Sequence, residues 1–271
     1  MQVTAIKDSP RSASPERGAA PETVIQGHGV TMTFGGGSIV ALQSATFGIG
    51  QGRFVSLVGP SGCGKSTLLR LIAGLTRRSS GSLKVHGAEV DGPSDKLGLM
   101  FQKSTLLDWR TAVENVLLPT ELSGRVTKAD RNEAMDLLRM VGLAGFEFSF
   151  PSQLSGGMQQ RVALARLLKQ GVDVLLLDEP FGALDEFTRE RLNVELMRIV
   201  ADVGATAVFV THSITEAIFL ADEVMVMTPR PGRIAAQIEV PFERPRDPSI
   251  QQSSDFNALV SQVRDVFAEH D

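Results

Sequence analysis

The chain has 271 residues, a formal net charge of −4, 42% hydrophobic residues and one cysteine. That apolar content supports a real core in one large domain or two modest ones, the charge leaves no basic footprint for nucleic acid, and lone Cys63 excludes an internal disulfide and fits a reducing compartment. No apolar run approaches the ~20 residues that span a bilayer, and the N-terminal stretch MQVTAIKDSPRSASPERGAAPE lacks the continuous apolar segment of a secretory signal.

That stretch, rich in Pro, Ser, Ala and Arg, is expected to be a disordered tail over residues 1–22. TVIQGHGVTMTF and VALQSATFGI alternate apolar and polar residues, the pattern of half-buried strands. RFVSLVG is nearly continuous in apolar character and predicts a buried central strand; a glycine-rich loop and a helix, KSTLLRLIAGL, follow it. SLKVHG and KLGLMFQ predict further strands. From about 111 to 171 the pattern is helical, with KADRNEAMDLLRMVGL apolar at helical spacing, and predicts an inserted helical subdomain. DVLLLDEP and ATAVFVTH are two more buried strands, each followed by a helix: EFTRERLNVELMRIVADVG and SITEAIFLAD. EVMVMTPRPGRIAAQIEV predicts a hairpin around a Pro-Gly turn, and a helix over 256–271 closes the chain after a main domain spanning 23–255. Buried strands alternating with helices predict an α/β core with a mainly parallel sheet, preceded by an antiparallel β subdomain.

Gly59-Pro60-Ser61-Gly62-Cys63-Gly64-Lys65-Ser66 fits G-x-x-x-x-G-K-[ST] between a buried strand and a helix, the context a P-loop needs. The glycines let backbone N–H groups wrap a phosphate, Lys65 supplies a point charge to the outer phosphates, and the Ser66 hydroxyl is a ligand for Mg²⁺. Cys63 reads as a small spacer. The second buried strand ends in Asp178-Glu179, with Asp178 placed to hold Mg²⁺ and Glu179 to polarise an attacking water as general base. His212 ends the third strand at the same edge of the sheet, where it faces the γ-phosphate. Gln102 follows KLGLMF, where an uncharged amide reaches Mg²⁺ or the water. A second anion cradle follows: Ser155-Gly156-Gly157 opens the helix MQQRVALARLLK, whose first N–H groups and dipole favour an anion.

The P-loop 59–66, Gln102, LSGGMQQ 154–160, VLLLDE 174–179, ALD 183–185 and His212, in this order and spacing, resemble the nucleotide-binding subunit of ATP-binding cassette transporters. The resemblance covers about Val24 to Glu239, and LSGGMQQ is far more specific than the P-loop. It implies a P-loop ATPase that binds ATP and Mg²⁺ and pairs head to tail with a second copy, each ATP lying between one subunit's P-loop and the other's LSGGQ-like loop. Ser155, Gly156 and Gly157 would then cap the γ-phosphate on the partner copy. The P-loop residues with Thr67 would bind the nucleotide, Ser66, Gln102 and Asp178 the metal, and Asp185 would cross the dimer interface. The family often stacks a Tyr on the adenine; this chain has no Tyr, and Phe34 is the implied substitute. Met158 stands where the family commonly has Gln.

Two stretches, TLLDWRTAVENVLLP and MTPRPGRI, resemble the importer subgroup for nitrate, sulfonates and taurine, although Asp108 replaces its usual Pro before Trp109. The resemblance implies integral-membrane permease partners, a solute-binding protein reached through them, and a peripheral position on the cytoplasmic face of the inner membrane. Trp109 reads either as core packing or as lining a permease groove. The alternative is a soluble mechanical ATPase of the same superfamily. Repair versions carry a very long coiled-coil insertion and translation versions usually carry two cassettes, neither of which this chain has.

Overall fold

The protein is described by a computed structural model of residues 22–182 and 184–270. The expected tail, apart from Glu22, lies outside these residues, as does Ala183. Strands β1 (Thr23–Phe34) and β2 (Ile39–Gly50) pair antiparallel, and β4 (Ser80–Val85) and the two-residue β5 (Ala88–Glu89) extend them into a sheet of order β2-β1-β4-β5. A two-residue strand has no periodicity to read, so β5 was not expected. The second sheet has the order β10-β9-β3-β8-β7-β6. It contains β3 (Phe54–Val58), β6 (Leu97–Met100), β7 (Val174–Asp178), β8 (Thr206–Val210), β9 (Glu223–Met227) and β10 (Ile234–Glu239). All its pairings are parallel except that of β10, which folds back on β9.

Helices on both faces explain the continuous apolar strands. Val55, Leu57, Val208 and Val210 pack toward the antiparallel sheet and α1 (Lys65–Ile72), while Phe54, Val58, Ala207 and Phe209 pack toward the remaining helices. Successive strand residues point to opposite faces, so a strand covered on both sides needs apolar residues throughout. Between β6 and β7 the chain forms α2 (Ala112–Ser123), α3 (Lys128–Met140) and α4 (Gly156–Leu168). Thr111 with Glu114 and Thr127 with Asp130 close reciprocal caps at the first two. Helix α4 starts two residues earlier than the periodicity predicts, because Ser155 accepts a hydrogen bond from Met158 N at 3.3 Å and lets both glycines enter the first turn. Helix α5 (Glu186–Val203) follows β7, α6 (Ile214–Leu220) follows β8, and α7 (Ser254–Ala268) ends the described chain.

Arg246 ties the C-terminal segment to α6. It is 4% exposed, and its guanidinium donates to the carbonyls of Ile218 (2.7 Å), Phe219 (2.9 Å), Ala221 (2.8 Å) and Phe242 (2.5 Å). Burial pulls its pKa down to about 10, so it stays charged near neutrality. The last carbonyls of a helix lack intrahelical donors, and one planar cation supplies them here. Arg246→Met should lower unfolding stability by about 3 kcal/mol by stranding those carbonyls. Urea unfolding checks this; a loss below about 1 kcal/mol would mean that water replaces the guanidinium at no cost.

Candidate active site

The P-loop connects the end of β3 to α1. Gly64, at φ 107°, is the helix N-cap, and a Cβ there would lie 2.8 Å from Leu42 Cδ2 and 2.9 Å from the Ala41 carbonyl, so only glycine fits. Lys65 follows and is 7% exposed. Its ammonium donates to the carbonyls of Gly59 (2.7 Å) and Pro60 (3.1 Å) and lies 3.9 Å from Cys63 Sγ. The cation thus sits inside the ring of its own loop. Burial pushes the Cys63 thiol up, against the opposing pull of Lys65; it is a neutral packing group, as a small spacer would be.

Three strand ends converge beside this loop. Asp178, the last residue of β7, accepts a hydrogen bond from Ser66 Oγ at 2.9 Å. Burial raises the Asp178 pKa; the Ser66 bond opposes the shift, and the neighbouring Glu179 charge adds to it. Two hard oxygen donors held together, one on an undercompensated carboxylate, suit a divalent cation. Among the described residues no cluster of three or more His, Cys, Asp or Glu forms a metal site, so such a cation would complete its shell with phosphate oxygens and water. Glu179 sits at φ 45° with its N–H bonded to the Val210 carbonyl of β8 at 3.1 Å. A non-glycine residue in this region is uncommon and concentrates at functional sites. Its Oε2 accepts from Gln102 Nε2 at 3.1 Å and lies 3.8 Å from His212 Nδ1. Residues following β6, β7 and β8 therefore meet on one carboxylate.

The loop opens on a cleft of about 250 Å³ lined by Phe34, Ile39, Gly62, Ser66, Thr67 and Glu179, among others. Phe34 is 43% exposed, its ring available at the mouth. Arg230, which the sequence reading did not single out, also lines it.

Ser155, Gly156 and Gly157 do not line this cleft. Ser155 and Gly156 are exposed, and a Cβ on Gly156 would meet nothing within 4 Å. Gly157 is buried against Leu184 and Thr188. Asp185 is absent from the lining too; it caps α5, accepting from Thr188 N at 3.0 Å, and that bond holds its carboxyl below the usual range.

Sequence reasoning missed two braces. Gln160, 6% exposed on α4, donates to the Gln102 carbonyl at 2.7 Å. A glutamine on the buried side of an otherwise apolar helix stripe was the available signal. Glu216 on α6 binds Asn193 Nδ2 at 2.8 Å and the Thr211 hydroxyl, anchoring the residue before His212. Trp109 is 73% exposed, which overturns the core-packing reading.

The chain is similar to known proteins in sequence and fold. The sequence profile of the ABC transporter family matches residues 42–182. An uncharacterised ABC transporter ATP-binding protein of Methanocaldococcus jannaschii is 47% identical over 215 residues, covering 79% of this chain and 80% of the relative. The taurine import ATP-binding protein TauB of Rhizobium johnstonii is 42% identical over 236 residues, covering 85% and 90%. Among solved structures, a dimeric ATP-binding cassette in a post-hydrolysis state with ADP and Pi superposes with a TM-score of 0.72 at 32% identity, covering 81% of this chain and all of that one. The chain belongs to the ABC transporter family and is an ATP-binding, ATP-hydrolysing cassette.

Proposed function

We propose that this cassette powers an importer for a small sulfonate, and that it works as a head-to-tail pair docked on separate permease subunits. The observation that carries the pairing is the exposure of Ser155 and Gly156 at the start of α4. An exposed helix N-terminus with open space around Gly156, outside the lining of its own chain's cleft, is an anion site without a ligand in the same subunit. In a two-fold pair each copy would offer this turn to the γ-phosphate in the other's cleft. The dimeric neighbour supports this reading.

In the closed pair Phe34 stacks on the adenine and the P-loop from Gly59 to Thr67 wraps the phosphates, with Lys65 exchanging loop carbonyls for phosphate oxygens. Ser66 and Asp178, with Gln102 nearby, would hold Mg²⁺, which when bound neutralises charge on the outer phosphates. Glu179 accepts the proton of the attacking water, His212 contacts the γ-phosphate, and Asp185 meets the partner across the interface.

A groove of about 730 Å³ lies between β6 and the helical block, lined by Phe101, Thr105, Leu118, Pro119, Leu122 and Arg166. Leu122 is 81% and Phe101 37% exposed. Phe101 adjoins Gln102, whose amide reaches Glu179. A permease helix seated here would act on the catalytic carboxylate through one residue. Among the described residues no helix is long and apolar enough to cross a membrane. Likeness to import ATP-binding proteins supports a peripheral position on the cytoplasmic face of the inner membrane, with a solute-binding protein on the far side. Likeness to a taurine import protein supports the solute class.

Glu179→Gln should retain ATP affinity while turnover falls about 10²–10⁴-fold, because the amide keeps the shape but takes no proton. It should accumulate as an ATP-bound dimer by gel filtration, whereas Ser155→Arg should bind ATP and stay monomeric. Near wild-type turnover in the first, or an ATP dimer only in the second, would exclude these roles. Leu122→Glu should abolish co-purification with the proposed permease subunits; undiminished recovery would move the docking surface elsewhere. Cells lacking this chain should lose uptake of radiolabelled taurine, and intact uptake would rule out that solute.

A further inference from the structure

We infer that Arg230 is a second nucleotide-binding cation, contacting the phosphate at the ribose end of ATP or ADP. The inference rests on the cleft being the nucleotide site and on Phe34 marking its adenine end. The turn carrying Arg230, between β9 and β10, is not a free loop. Thr228 and Arg233 close it through two hydrogen bonds of 3.0 Å. Gly232 donates to the Ala41 carbonyl at 3.1 Å and accepts from Gln43 N at 2.9 Å, joining the turn to β2. Arg233 adds a 2.7 Å bond to Gln43 Oε1. Gly232 also approaches the P-loop so closely that a Cβ on it would lie 1.9 Å from the Cys63 carbonyl. The turn is therefore wedged between β2 and the phosphate loop.

This wedge puts the Arg230 guanidinium on the outer lip of the loop. Its Nε and Nη2 both donate to one carbonyl, that of Gly62, at 3.3 and 3.2 Å. Among the described residues no carboxylate pairs with it. Two donors sharing one neutral acceptor at long distance are poorly satisfied, whereas a guanidinium fork matches two oxygens of a phosphate. Lys65 is buried inside the loop; Arg230 is exposed and lines the cleft together with Phe34 and Ile39. Both cations line the cleft, Lys65 from inside the loop and Arg230 from its exposed lip. The outer phosphates fall to Lys65, and the phosphate joined to the ribose falls to Arg230.

Calorimetric titration of the full chain with ADP and with a non-hydrolysable ATP analogue tests this. Arg230→Ala and Arg230→Gln should each weaken both nucleotides by roughly tenfold and flatten the salt dependence of binding, with the melting temperature of the nucleotide-free protein unchanged. The glutamine variant separates the two possible roles, because it still donates to the Gly62 carbonyl but carries no charge. If it binds like the wild type while the alanine variant does not, Arg230 only props the loop and the inference is wrong. It is equally overturned if both variants stay within about twofold of wild type, or if only the triphosphate analogue loses affinity. Should wild-type protein bind neither nucleotide, the reading of the cleft itself fails, which is a separate result from a loss confined to the Arg230 variants.

Discussion

Glu179 is an acidic side chain at the tip of a strand that is buried on both faces, and the rest of the site is arranged around that constraint. Residues Val174 to Asp178 have no room for a polar group other than at the end. The first position free of the two-sided packing is therefore where chemistry begins. The same holds for β3, which ends at the phosphate loop, and for β6 and β8, which lead into Gln102 and His212. Parallel pairing puts all these ends on one edge. The left-handed backbone at Glu179 turns the carboxylate back toward Gln102 and His212, instead of letting it follow the strand into solvent.

That edge is the junction of three bodies. The antiparallel sheet contributes Phe34 and Ile39, the parallel core contributes the loop and the carboxylates, and the helical block reaches in through Gln160. Gln160 binds the backbone of Gln102 while the Gln102 side chain binds Glu179. A rotation of the helical block would be felt at the Glu179 carboxylate through these two contacts. The block also carries Ser155 and the apolar groove, so the two surfaces proposed for partners lie on the same block as Gln160. Asn115 stiffens this path: fully buried, it accepts from Leu107 N and donates to the carbonyls of Leu107, Arg110 and Thr111, fixing the segment between Gln102 and α2.

The C-terminal segment plays a supporting part that its position in the chain does not announce. Arg246 caps α6, the helix that begins two residues after His212, and Glu216 in that helix holds Thr211. The β9–β10 turn reaches back to the phosphate loop from the other side. Both ends of the catalytic edge are thus braced by residues distant in sequence.

By itself the sequence determined the order and kind of nearly every element, because strands covered on both faces must be apolar throughout and amphipathic helices must show their period. It also marked the candidate site residues, since a P-loop, an Asp-Glu pair ending an apolar strand and LSGGMQQ each suggest chemistry in a short span of neighbours. Asp178 beside Ser66, and Glu179 beside Gln102 and His212, followed once those strands paired in parallel. Only the tertiary structure decided what lies across long separations: that Ser155 is exposed outside the lining of its own cleft, that Gln160 holds Gln102, that Trp109 is exposed, and that Arg230 lines the cleft against the phosphate loop. None of these leaves a local pattern. An arginine in a hairpin turn looks the same in sequence whether it faces water or a phosphate loop, and it was the fit of Gly232 against Cys63, a contact between residues far apart in the chain, that settled which.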